Sequence, residues 1–116
     1  MSAEPSLGVG AALERGRVEF NRGRFFEAHE VWESSWIEEI GDERKLLQGL
    51  VQAAAGFHKA EIGVPGGARK LFVKALGVLE ELPCGMHGLD LQSFRDEIRQ
   101  ALEDRRSTAP RLRRLP

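Results

Sequence analysis

The chain has 116 residues, enough for one hydrophobic core and too few for two. Its 17 basic and 18 acidic side chains leave a net charge of −1, which selects neither nucleic acid nor an acidic surface as a partner. A single cysteine, Cys84, excludes an intrachain disulfide, and no apolar run approaches the roughly 20 residues that cross a bilayer.

The first residues lack a basic region followed by an apolar core, so no signal peptide is expected. Together these features predict a cytoplasmic protein with no membrane partner. Residues 1–10 hold Pro5, Gly8 and Gly10 and read as a flexible leader. Residues 11–106 read as a single helical domain, and residues 107–116 as a basic flexible tail.

A first helix is predicted over residues 11–21, with Asn21-Arg22-Gly23 ending it, because Asn and Gly take the left-handed backbone that stops helices. A second helix runs from Arg24 to about Ile40. Phe25, Phe26, His29, Trp32, Glu33, Trp36 and Ile40 fall within roughly 60° either side of His29 at helical spacing. That pattern predicts an apolar face with a histidine and a carboxylate inside it.

A third helix, from an Asp42 cap to about Ile62, is apolar or small all round from Leu46 to Phe57 except for Gln48 and Gln52. A helix without a polar face is central. Gly63-Val64-Pro65-Gly66-Gly67 is a turn, and a fourth helix follows over residues 68–82. A fifth runs from an Asp90 cap to about Arg106, with Leu91, Phe94, Ile98, Ala101 and Leu102 at helical spacing.

No segment alternates at period two. The fold class is therefore all-α: a compact bundle of about five helices, joined by short connections into antiparallel helical hairpins. An internal repeat points the same way. Gly16, Gly23, Ala28 and Trp32 recur forty positions later as Gly56, Gly63, Ala68 and Phe72. A glycine turn, a small residue and then a large aromatic resembles tetratricopeptide packing.

Chemistry is sought first at His29 and Glu33. Residues four apart on a helix point the same way, so both can reach one ion or one proton. His58, on the face of the third helix that carries Leu47, Leu50, Val51 and Ala54, is the natural third ligand. Glu30, Gln48 and Gln52 are candidates for supporting hydrogen bonds, and Trp32 and Trp36 for a dry wall. Three protein ligands and water on zinc, iron or manganese would make an open centre suited to hydrolysis. The competing reading is a structural His29–Glu33 pair with no ion.

The residues Phe25-Phe26-Glu27-Ala28-His29-Glu30, then Glu33 and Trp36, then Gln48 to Ala55 and His58, then Gly66-Gly67-Ala68, resemble domain-of-unknown-function family 309. These are small bacterial and archaeal proteins with a His-x3-Glu-x2-Trp/Tyr motif, met here by His29, Glu33 and Trp36. The resemblance covers about residues 18–82. It implies a compact all-helical fold and suggests metal binding at the motif. The family's usual asparagine before the Gly-Ala step is Gly66 here.

Other features carry less. Cys84 and His87 are half a zinc site at most. Arg105, Arg106, Arg111, Arg113 and Arg114 place five positive charges near the end, but no aromatics interleave, so nucleic acid is not the expected partner. A solvated terminus is the expectation there. An apolar face left over on the fourth or fifth helix would make a homo-oligomer. Two functions therefore stand after reading the sequence: a metal-dependent hydrolytic site, or a tetratricopeptide-like module that binds another protein.

Overall fold

The computed structural model of the chain describes residues 8–103 and 109–116. Among the described residues five helices form: α1 Val9–Asn21, α2 Phe25–Trp36, α3 Gly41–Glu61, α4 Pro65–Leu79 and α5 Leu91–Glu103. A 3₁₀ turn, Met86–Gly88, precedes α5. Among the described residues there is no strand, only an isolated antiparallel bridge between Leu89 and Arg114. The all-α expectation holds. Most of the leader, residues 1–7, and the expected end of the fifth helix lie outside the described residues, while Val9 and Gly10 belong to α1.

The two turns that close the hairpins are built alike. Gly23 and Gly63 take φ of 79° and 81°, the left-handed region where a Cβ is strained. Arg24 N–H donates to Glu19 O at 2.9 Å, and Gly23 N–H to Phe20 O at 2.9 Å. Forty residues on, Val64 N–H donates to Lys59 O at 2.8 Å, and Gly63 N–H to Ala60 O at 3.2 Å. Both are Schellman turns, in which left-handed glycine lets the chain satisfy the last carbonyls of the first helix.

The hairpin partners also approach in the same way. A Cβ on Gly16 would lie 2.1 Å from the Trp32 indole, and one on Gly56 would lie 2.7 Å from the Phe72 ring. In each hairpin the missing side chain is the seat for an aromatic one. Ala28 and Ala68, four residues before those aromatics, are both buried. The forty-residue repeat read from the sequence is thus a repeat of packing.

α3 lies between α2 and α4, α1 packs on α2, and α5 packs on α4. The central placement of α3 matches its all-round apolar pattern, with Leu46, Leu47, Leu50, Ala53 and Ala54 fully buried. Phe20 of α1 ties the elements together. Its ring lies 5.1 Å from Phe25, 5.6 Å from Phe57 and 5.3 Å from Phe94, in tilted and edge-on arrangements that aromatic rings favour.

Several boundaries differ from expectation. α2 stops at Trp36, short of Ile40, because Ile37 and Ile40 are exposed and offer no face to bury. α4 starts earlier, at Pro65, whose missing N–H costs nothing in the first turn. Asp42 does not cap α3. Ile40 holds the cap position without a side-chain bond, and Asp42 and Glu43 sit inside the first turn, where negative charge still suits the helix dipole. Asp90 does cap α5: its Oδ1 accepts the Ser93 N–H at 3.0 Å.

The larger correction concerns the end of the chain. The sequence predicts a solvated tail, yet Pro110 and Leu112 are buried, Leu112 completely. Residues 109–116 lie along α1 and pair with the residues before α5. Asp90 N–H donates to Arg113 O at 2.8 Å, and Leu115 N–H to Gly88 O at 2.8 Å.

Candidate functional site

The face that α2 buries is Phe25, Ala28, Trp32 and Ser35. Its centre lies about 80° round the helix from His29. The sequence reading centres the face on His29 because it weights the large aromatics and passes over small Ala28 and Ser35. Glu33 is consequently not in the apolar interior. Its side chain is 50% exposed, and that of His29 is 25% exposed. The expected buried His/Glu cluster is corrected to a pair at the edge of the helix interface.

His29 and Glu33 do meet: Nε2 lies 3.1 Å from Glu33 Oε2. This is the (i, i+4) geometry that helical spacing predicts. Phe26 stacks on His29, its ring centroid 6.0 Å from that of the imidazole and near-parallel to it. The same ring lies 5.5 Å from His58 of α3. Phe26 is thus common to both imidazoles, and it is itself half-exposed. His58, Phe26 and Glu61 line a surface cleft of about 500 Å³ beside the first turn of α2.

The expected supporting residues scatter. Glu30 is exposed. Trp32 is fully buried in the α1 interface, where its Nε1–H donates to Leu13 O at 3.4 Å. Trp36 is half-buried, with the Arg44 guanidinium 4.2 Å from its ring centroid, a cation–π placement. Gln48 and Gln52 are both half-buried. Four buried polar atoms on α2 and α3 have no protein partner: His29 Nδ1, Ser35 Oγ, Trp36 Nε1 and Gln52 Oε1.

A metal centre needs three or four ligands converging on one point. Among the described residues, no three His, Cys, Asp or Glu side chains gather into such a group. His29 Nε2, one of the two atoms that could ligate, is already engaged by Glu33. The Cys84–His87 pair does not converge either. His87 turns to Glu43, Nε2 to Oε2 3.2 Å, while Cys84 Sγ accepts from Arg95 Nη2 at 2.9 Å.

Sequence reasoning missed a second polar constellation, on α1. Glu14, Arg17 and Asn21 lie at spacing i, i+3, i+7 and form one stripe. Asn21 makes two bonds to a single residue of the C-terminal segment: Nδ2–H donates to Leu112 O at 3.0 Å, and Leu112 N–H donates to Oδ1 at 2.8 Å. Arg17 adds a third, Nη1 to Leu112 O at 3.4 Å. Glu14 accepts from Arg17 at 2.8 Å and from Arg114 at 3.1 Å. The Arg17 hydrogen bond is the largest influence on the Glu14 carboxyl, and with the Arg114 contact it outweighs burial and holds it at about 2. The same bond raises the Arg17 guanidinium above its ordinary value.

Nothing local in the sequence signals this stripe, since its partner lies 91 residues away in the case of Asn21. Arg95 was missed for a similar reason. It is buried in α5 with Leu91, Phe94 and Ile98, and its Nη1 donates to Leu79 O at 2.9 Å, satisfying a carbonyl at the end of α4.

The model of a domain of unknown function, DUF309, matches residues 13–71, just over half of the chain. The chain belongs to this family. The DUF309 match covers α1 from Leu13 on, all of α2 and α3 and the first half of α4, hence both hairpin turns. The chain is 38% identical to a conserved hypothetical protein from Thermus thermophilus whose crystal structure is known. That similarity has a TM-score of 0.70 and covers 78% of this chain and 95% of the other. An uncharacterized protein of Aquifex aeolicus (strain VF5) is 29% identical over 94 residues. The match takes in 78% of this chain but only 27% of that relative. Among the described residues, no helix is long and apolar enough to cross a membrane.

Proposed function

We propose that this DUF309 chain is a non-catalytic protein-interaction module made of two tetratricopeptide-like hairpins, in which the His29–Glu33 pair is structural. The observation that carries the reading is the recurrence at forty residues of one turn and one seat: Gly23 and Gly63 at left-handed φ, Trp32 on Gly16 and Phe72 on Gly56. Stacked helical hairpins of this kind present helix faces to partners rather than hold substrates in a closed cavity.

The pair fits a structural role. It is an (i, i+4) contact with Glu33 half in water, worth up to about 1 kcal/mol. Metal-assisted hydrolysis asks for more ligands than the described residues bring together, so no catalytic step is assigned.

Metal analysis of protein purified without an affinity tag tests the reading. The expected result is no stoichiometric zinc, iron or manganese, and thermal unfolding unchanged by a chelator. Stoichiometric metal that disappears in His29→Ala would overturn the module reading in favour of a metal centre at the motif.

A further inference from the structure

We propose that the stripe Glu14, Arg17, Asn21 on α1, with the edge at Gly88 and Asp90, is a peptide-recognition site, and that residues 109–116 are its tethered occupant. The inference rests on the interaction-module reading and names the ligand chemistry: an extended basic segment of a partner protein with a leucine anchor between arginines.

Three features make this a recognition site and not simply a packed terminus. The first is how the backbone is read. The Asn21 amide bonds both the N–H and the C=O of Leu112, at 2.8 and 3.0 Å, as a neighbouring strand would. The main chain is extended on the other side by Asp90 N–H to Arg113 O and Leu115 N–H to Gly88 O, both 2.8 Å. Strand addition of this kind gives affinity without reference to sequence.

The second is the anchor pattern. Leu112 is fully buried and Pro110 is buried, while Arg111, Arg113 and Arg114 face outward. In an extended chain, alternate residues enter pockets, and those pockets set side-chain specificity. The third is charge. Glu14 lies 3.0 Å from Arg114, Glu97 lies 4.0 Å from Arg113, and Glu97 Oε2 also accepts the Arg111 N–H. Two carboxylates thus face the arginines that flank the anchor, and these charges steer a basic segment onto the site.

The chain's own segment is held by the polar stripe of α1, by two main-chain hydrogen bonds and by Leu112, which is fully buried in the hydrophobic core. Its release therefore requires Leu112 to leave the core. Because the segment belongs to the same chain, a trans segment must compete with it.

The test is a titration of the 116-residue chain with a synthetic peptide of residues 109–116. Leu112→Asp puts a charge on the anchor and releases the tethered copy. That variant is expected to bind the peptide at least about tenfold more tightly than the wild type. Adding Asn21→Ala should remove the gain. A folded Leu112→Asp chain with no gain in affinity overturns the proposal.

Hydrogen exchange on the wild type decides the matter if that variant does not fold. The Leu112 and Leu115 amides are then expected to exchange at least about a hundredfold faster than those of Leu50 and Ala53 in α3. Equal protection would make the segment part of the global fold and overturn the proposal. Neither result touches the hairpin reading, which stands or falls on the metal analysis.

Discussion

Hairpin α1–α2 and hairpin α3–α4 share one face and differ on the other. On the shared face, Gly16 and Gly56 seat Trp32 and Phe72, and Leu13 and Ala53 are both buried. On the other face, α1 carries Glu14, Arg17 and Asn21 where α3, forty positions on, carries Ala54, Phe57 and Glu61. The physical cause is position in the stack. α3 is covered by helices on both sides, so its second face is apolar and buried at Ala54 and Phe57, with only Glu61 at the helix end exposed. α1 ends the stack, and its second face is free to take a polar segment of chain. The repeated residues therefore mark what the hairpin needs to close, and the unrepeated ones mark what each hairpin meets.

The largest test of the shared face is loss of its aromatics. Trp32→Ala and Phe72→Ala should each destabilise the protein by about 3–5 kcal/mol in chemical denaturation, by burial lost and cavity left. A neutral result at either position would break the equivalence of the hairpins. A smaller test fills the seats. Gly16→Ala and Gly56→Ala should each cost about 1–3 kcal/mol, since the added Cβ would lie well inside contact distance of the ring. Gly16→Ala should be the costlier, at 2.1 Å against 2.7 Å.

The unshared face is tested by pH. The folded Glu14 carboxyl sits at about 2 against an ordinary 4.5, so its contribution is complete above 4.5 and disappears as pH falls toward 2. Stability of Glu14→Gln should therefore decline less steeply than wild type over that range. The difference should stay under about 1 kcal/mol, because the Glu14 side chain is 38% exposed and solvent screens it. An identical acid profile would remove Glu14 from the account of the α1 stripe.

The smallest effect is expected at Glu33. Glu33→Ala should change stability by no more than about 0.5 kcal/mol. The corresponding residue of the second hairpin, Val73, is 55% exposed, so the position faces water in both copies. A loss of several kcal/mol would mean that the carboxylate is buried by something absent from the isolated chain.

Much of the fold was legible in the residues. Glycine turns, the Asp90 cap, the all-round apolar run of α3 and the forty-residue repeat are local or periodic signals, and each reappears in the structure. Less of the candidate site was legible. The sequence placed His29 and Glu33 within reach of each other, which needs only 3.6 residues per turn. It put both in the interior, because large aromatics outweighed Ala28 and Ser35 in judging which side of α2 faces the core.

By itself, then, the sequence determined the helices, their hairpin closure and the one-turn pairing of His29 with Glu33, all set by neighbours within a few residues or by a repeating period. Only the tertiary structure decided that Glu33 reaches solvent, that Phe26 lies against His29 and His58 alike, and that Leu112 is clasped by Asn21. Those outcomes depend on how far one helix is rotated against another and on contacts across 91 residues, and neither leaves a mark in local spacing.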